Sequence, residues 1–89
     1  KMKWFIIVVM TAQLSTGGKD ETPLWIPELV FDSQEECMTF ARNNQIRLFS
    51  KSASAYNNKV LPTMMNCVNQ DIMEEIGQLY GKKQNEKNI

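Results

Sequence analysis

The sequence contains no histidine, and this absence removes much of the chemistry on which small enzymes rely. Without an imidazole there is no side chain that titrates near neutral pH by default, and no Ser–His–Asp or Cys–His arrangement can form within one chain. Two cysteines are too few for a four-cysteine zinc site. We therefore predict no catalytic residue, no metal ligand and no cofactor. These absences favour a protein that is not an enzyme.

The chain also lacks an excess of either charge and lacks a long apolar run. Lysine and arginine number 10, as do aspartate and glutamate, whereas nucleic-acid-binding domains are usually basic. The apolar run at residues 4–10 is far shorter than the roughly 20 residues that span a bilayer. We expect no nucleic-acid partner and no membrane span. We assign one domain to residues 1–81 and a polar tail to residues 82–89.

The apolar run at residues 4–10 consists mostly of β-branched and aromatic residues, which favours a strand. A strand that is apolar on both faces belongs in the middle of a sheet. A basic start before an apolar run is also typical of a secretory signal, but no clear small-x-small cleavage motif follows it. The strand is therefore the preferred interpretation, with Trp4, Ile6, Val8 and Met10 on one face and Phe5, Ile7 and Val9 on the other.

A second strand is predicted over residues 24–31, after a polar loop at residues 15–23. Pro27 cannot donate a ladder hydrogen bond, so this strand belongs at the edge of the sheet. The sequence Ser-Gln-Glu-Glu at residues 33–36 matches a capping box, which predicts the start of a first helix. The spacing of apolar residues indicates that the inward face of this helix contains Cys37, Phe40, Ala41 and Met38.

Residues 45–57 fit either a second helix or a strand. The segment is poor in strand-forming residues, and its serine–alanine stretch favours the helix. The inward face of that helix is assigned to Ile46, Phe49, Ala53 and Tyr56.

A third strand is predicted over residues 60–68, and a last helix follows it. Asp71 and Glu74 have the spacing of a second capping pair, and Gly81 is suited to the end of the helix.

These elements predict an α+β fold with the order ββααβα, in which a small three-stranded antiparallel sheet has the strand order 2-1-3 and helices pack on it. If all three helices cover one face, the other face stays apolar and open, and a homodimer through that face is the economical way to cover it. The alternative is a monomer whose helices divide between the two faces.

Cys37 and Cys67 are both predicted to point into the core, which leaves two interpretations open. They form a disulfide if their Cα atoms lie within about 7 Å of each other. Otherwise they are buried thiols that pack like small apolar side chains. Reduced cysteines predict a cytoplasmic protein, whereas a bridge predicts an oxidising, extracytoplasmic compartment.

Two further groups of residues are candidates for binding. One is an apolar interface or pocket, formed by Trp4, Trp25, Tyr56, Met64 and Met65. The other is a cationic stripe for an anion or an acidic partner, formed by Arg42, Arg47 and Lys51. Core packing is the commoner explanation of the first group, and a solvated helix face is the commoner explanation of the second.

The segment Phe-Asp-Ser-Gln-Glu-Glu-Cys at residues 31–37, with Met-Asn-Cys-Val at residues 65–68, resembles small uncharacterised proteins of marine phages and bacteria. The resemblance implies no activity, cofactor or active-site residue. Three functional hypotheses follow. The first is a small non-enzymatic interaction or accessory protein that self-associates through an apolar sheet face. The others are a ligand-binding protein or minor enzyme with a pocket between sheet and helices, and an exported domain stapled by a disulfide.

Overall fold

The structure is a computed structural model that describes the backbone of residues 2–87 and the side chains of residues 2–79. It has an α+β fold with the order ββααβα, and the predicted fold class and topology are confirmed. The elements are β1 (Trp4–Gln13), β2 (Lys19–Phe31), α1 (Gln34–Asn43), α2 (Gln45–Ala55), β3 (Leu61–Asn69) and α3 (Gln70–Lys87).

The sheet is antiparallel and has the order β2-β1-β3, so the first strand is central as its two apolar faces predicted. β2 lies at one edge, in agreement with the prediction made from Pro27. Its pairing with β1 is interrupted there: Phe5 lies opposite Val30, whereas Ile7 lies opposite Trp25. The four residues 26–29 therefore bulge out of the ladder opposite a single position of β1.

The start of β2 differs from the prediction. The strand begins at Lys19, so residues 19–23 extend the ladder and the polar loop is shorter than predicted. The chain reverses within residues 14–18, where the amide of Leu14 donates to the carbonyl of Gly18 over 2.9 Å. Gly17 has φ +97°, a conformation that side chains with a Cβ rarely adopt, which explains why a glycine stands at this turn.

α1 begins where the capping box predicted. The side chain of Ser33 accepts a hydrogen bond from the amide of Glu36 over 3.1 Å. Such a cap contributes about 1 kcal/mol to the stability of the folded protein. Cys37 and Ala41 are buried, but Met38 is exposed, so its assignment to the inward face was wrong. Met38 lies just outside the i, i+4 stripe that faces the sheet.

α2 confirms the helical interpretation of residues 45–57, and its predicted inward face is correct in part: Phe49 and Tyr56 pack against the core, but Ile46 does not. Ile46 is 84% exposed, while Leu48 and Ser52 are buried. The hydroxyl of Ser52 donates to the carbonyl of Leu48 over 2.8 Å, so its polar atom is satisfied inside the core. A pattern of apolar residues alone cannot identify a face that contains a buried serine.

The core lies between one face of the sheet and the helices α1 and α2. Three even-numbered side chains of β1 are completely buried there, together with residues of both helices: Ile6, Val8, Met10, Cys37, Ala41 and Leu48. The remaining elements add partly buried side chains around this cluster.

α3 continues directly from β3 and differs from the prediction at both ends. Asn69 caps it, since its side-chain oxygen accepts a hydrogen bond from the amide of Ile72 over 2.9 Å; Asp71 is already inside the helix. The backbone stays helical through Gly81 to Lys87, so most of the predicted tail at residues 82–89 is helix. The last two residues of that tail lie outside the described part of the chain.

Candidate functional site

The candidate site is the face of the sheet opposite to α1 and α2. The odd-numbered residues of β1 lie on this face, and the strand register places side chains of both neighbouring strands beside them. We call this surface the Trp25 face, and it consists of Phe5, Ile7, Val9, Trp25, Val30, Leu61, Met64 and Val68.

The Trp25 face keeps large apolar side chains in contact with solvent. Trp25, Val30, Met64 and Leu61 are 44% to 55% exposed, although each belongs to a strand of the sheet. At its centre Ile7 is buried, and the ring of Phe5 packs edge-on against Trp25 with centroids 5.8 Å apart. A contiguous apolar surface of this kind marks an interaction site more often than single exposed apolar residues do.

Polar groups are few on the Trp25 face. Opposite Ile7, β3 contributes Asn66. Towards one end, the hydroxyls of Thr11 and Thr63 lie 2.8 Å apart and bond to each other, and Glu21 pairs with Thr11 across the strands. The central part of the face therefore carries no charge, which favours contact with another apolar surface over contact with water.

α3 presents a second set of exposed apolar side chains. Ile72 and Leu79 are exposed and lie seven positions apart, which places them on the same side of the helix. Met73 and Ile76 between them are half-buried. The helix is 18 residues long, and the molecule measures 41 × 28 × 19 Å along its principal axes.

The structure divides the predicted apolar interface into two groups. Trp25 and Met64 lie on the Trp25 face. Trp4, Met65 and Tyr56 pack instead against the core on the helical side of the sheet. Successive side chains of a strand point to opposite faces of the sheet. This alternation, together with the strand register, decides on which face each residue lies.

Within the described side chains, Trp25 and Met64 line two different openings, and Tyr56 lines neither of them. Trp25 lines a cleft of about 520 Å³ between β2 and α2, and Met64 lines a groove of about 290 Å³ between β3 and the helices. These two openings lie at opposite edges of the sheet. Each of the two openings lies between an edge strand and the helices.

The predicted cationic stripe is divided in the same way. Arg42 lines the groove beside β3, whereas Lys51 lines the cleft beside β2. Arg47 lies one turn before Lys51 on α2, and all three side chains are exposed. Arg42 and Lys51 therefore line different openings, and Arg42 is available to a ligand in its own groove.

Cys37 and Cys67 are joined by a disulfide that connects α1 to β3. Their Cα atoms lie 6.1 Å apart and the two positions are 30 residues apart in sequence. Cys37 is completely buried and Cys67 half-buried, so the bridge lies at the boundary of the core. It holds the first helix against an edge strand of the sheet.

The described side chains contain no group of three or more cysteines and carboxylates that is arranged to hold a metal ion. Across residues 2–87, no helix combines the length and the apolar character needed to cross a membrane.

No protein-family model, curated protein or solved structure matches the chain.

Proposed function

We propose that this protein is a small non-enzymatic interaction module that self-associates through the Trp25 face. The observation that carries the proposal is the exposure of Trp25, Met64 and Leu61 on one face of a sheet whose other face is covered by two helices. Sheets in globular proteins bury their apolar faces against another layer, and here a second copy supplies that layer.

The charges of the chain support a second copy as the occupant. Positive and negative side chains are equal in number, so two copies do not repel each other through their net charge. The centre of the Trp25 face has no charged group that would be stripped of water on contact. An apolar face that meets a copy of itself about a two-fold axis also needs no complementary set of charges.

The size of the face sets the expected strength of the dimer. Three strands about 4.8 Å apart and about 30 Å long give a footprint of roughly 400 Å² per copy. A typical stable interface buries about 800 Å² per partner, so the sheet alone provides roughly half of that area. We expect a reversible dimer with a Kd on the order of 10 μM.

Replacing Trp25 with glutamate is expected to weaken self-association at least tenfold, because the dimer interface would bury an unpaired carboxylate. Sedimentation velocity across a concentration series measures the effect. Ile46→Glu is the matched control: Ile46 is 84% exposed on α2, away from the Trp25 face, so this variant should dimerise like the unchanged protein. Met64→Glu provides a second charge on the same face and should behave like Trp25→Glu.

A protein that stays monomeric at millimolar concentration contradicts the proposal. An equal loss of dimer in Ile46→Glu also contradicts it, since the effect would then come from added charge rather than from the face. Circular dichroism of each variant establishes that the fold is kept before the comparison is made.

A second candidate function is that of an exported domain, and the Cys37–Cys67 bridge supports it. Disulfides persist in oxidising compartments and are rare where glutathione and thioredoxin keep thiols reduced. A chain of 89 residues buries only a small core, and small domains are often stabilised further by a disulfide. Export and self-association are compatible, so this candidate adds a location to the first proposal.

Trapping the thiols in intact cells tests the location. Cells are quenched with acid, and the protein is denatured and alkylated before and after reduction. We expect no added label before reduction and two afterwards, as read from the intact mass. Two labels before reduction would show that the cysteines are free in the cell and would place the protein in a reducing compartment.

A further inference from the structure

The two edges of the sheet differ in how well they are protected against pairing with another strand. β2 carries the prolines Pro23 and Pro27, the bulge at residues 26–29 and four charged residues, Lys19, Asp20, Glu21 and Glu28. Such features are what proteins use to block an edge. β3 has no charged residue among its nine, and its one proline stands at the second position. The outer edge of β3 is therefore the one suited to accept a further strand.

A groove runs beside this edge on the helical side of the sheet. It has a volume of about 290 Å³, and its floor is formed by residues 63–67 of β3. Met38 of α1 and Phe49 of α2 contribute apolar surface to its wall. Methionine side chains adapt to different neighbours, which suits a surface that must accept more than one apolar side chain.

Arg42 gives the groove its charge. Among the described residues that line it, Arg42 is the charged one, and Gln45 lies next to it at the junction of α1 and α2. Met38 stands one helical turn before Arg42, and Phe49 stands one turn after Gln45. The helical wall thus presents an apolar group, a cationic group and an apolar group in that order.

The step from Met38 to Arg42 on that wall is close to the spacing of alternate residues on a strand. One turn of helix rises about 5.4 Å, and two residues of a strand rise about 6.7 Å. Alternate side chains of a strand placed along β3 would therefore meet Met38 and Arg42 at a similar interval, and Phe49 lies beyond the junction of the two helices. A carboxylate in the middle of such a segment would face the guanidinium of Arg42, an arrangement that favours a charge-assisted hydrogen bond.

We propose that the groove between β3 and the α1–α2 helices binds an extended peptide that adds to the sheet as a fourth strand. The peptide has apolar side chains at positions i and i+4 and an acidic side chain at i+2. The backbone of β3 supplies the ladder hydrogen bonds, and the wall selects the side chains. This site is separate from the Trp25 face and goes beyond the proposed self-association.

Three synthetic heptapeptides test the selection of the acidic side chain. Each is acetylated and amidated and has the sequence Thr-Val-Thr-Xaa-Thr-Val-Thr, with Glu, Gln or Lys at Xaa. Titration into ¹⁵N-labelled protein should shift the amide signals of β3, and the Glu peptide should bind about five to ten times more tightly than the Gln peptide. Arg42→Gln should abolish that difference, while Lys51→Gln, which removes a cation at the opposite edge, should preserve it.

N-methylation of the peptide tests strand addition without altering the protein. Methyl groups on the amides that face β3 remove the ladder hydrogen bonds, whereas methyl groups on the other amides do not. Of two peptides methylated at alternating positions, one should lose binding and the other should keep most of it. Equal binding of both, or no shift of β3 amides with any peptide, would overturn the proposal.

The titrations are carried out in parallel on the protein with Trp25→Glu, so that self-association does not mask the peptide. If the amide signals of β3 shift with protein concentration and not with added peptide, then a second copy of the protein binds the edge of β3. The peptide proposal is wrong in that case. Peptide binding that persists in Trp25→Glu supports the groove whether or not the unchanged protein dimerises.

Discussion

Removal of the Cys37–Cys67 disulfide is expected to lower the free energy of unfolding by about 3.5 kcal/mol. The bridge closes a loop of 30 positions, and the chain-entropy model gives this value for a loop of about that length. A domain of 89 residues has a total stability of about 4 to 13 kcal/mol. The bridge therefore accounts for a quarter or more of the stability, and the reduced protein should unfold at a much lower urea concentration.

Urea unfolding with and without a phosphine reductant, followed by circular dichroism, measures this effect. The variant with Cys37→Ala and Cys67→Ala should be destabilised to a similar degree and should not respond to the reductant, which makes it the control for direct effects of the reagent. Protein concentration is held constant, because a dimer that forms only from folded chains makes stability depend on concentration. An unchanged urea midpoint after complete reduction would contradict the prediction.

Ile6→Ala is expected to lower the free energy of unfolding by about 2 to 5 kcal/mol, the range found when large apolar side chains are truncated in a core. Ile6 is 0% exposed in the central strand, where it packs in the cluster between β1 and the two helices. Truncation leaves a cavity that neighbouring strands on both sides prevent from closing. Combined with reduction of the disulfide, the expected loss reaches about 5.5 to 8.5 kcal/mol, so the reduced variant should unfold at a lower urea concentration than either change alone produces.

Ile46→Ala is the control for that substitution. The same atoms are removed from an isoleucine that is 84% exposed, so stability should change by less than about 0.5 kcal/mol. Urea unfolding of the two variants under oxidising conditions gives the comparison. A similar loss in both would mean that the core does not lie where the structure places it.

The strand order and the element order were predictable because they depend on strong local signals. β1 is apolar on both faces, which requires a central position, and Pro27 requires an edge. Ser33 and Glu36 mark the start of α1 through a hydrogen bond that needs only local geometry. Each of these signals is complete within a few residues of sequence.

The features that escaped prediction depend on contacts between distant segments. The early start of β2 follows from its pairing with the end of β1, and neither segment alone shows it. The inward position of Leu48 and Ser52 on α2 was missed because Ser52 is buried through a hydrogen bond to Leu48, which makes a polar residue acceptable in the core. The cap of α3 falls on Asn69 because β3 runs into the helix without a loop.

The candidate sites were harder to predict than the fold for a related reason. Trp25 and Met65 were grouped as one surface, but the register places them on opposite faces of the sheet. Arg42 and Lys51 were grouped along one stretch of chain, but the helices carry them to opposite edges. Composition identifies residues able to take part in binding, and the register decides which of them share a surface.

The connection between α2 and β3 lies inside the loop that the disulfide closes. Asn57 and Asn58 both have positive φ, and together with Lys59 they are exposed to solvent at this turn, which is the kind of segment that proteases cut first. A cut there would break the chain without dividing the molecule, because Cys37 and Cys67 stay joined on either side of it. The nicked protein would gain only the mass of one water and would separate into two fragments after reduction. β3 and α3 would remain tethered beside the central strand, at a high effective concentration for pairing with it.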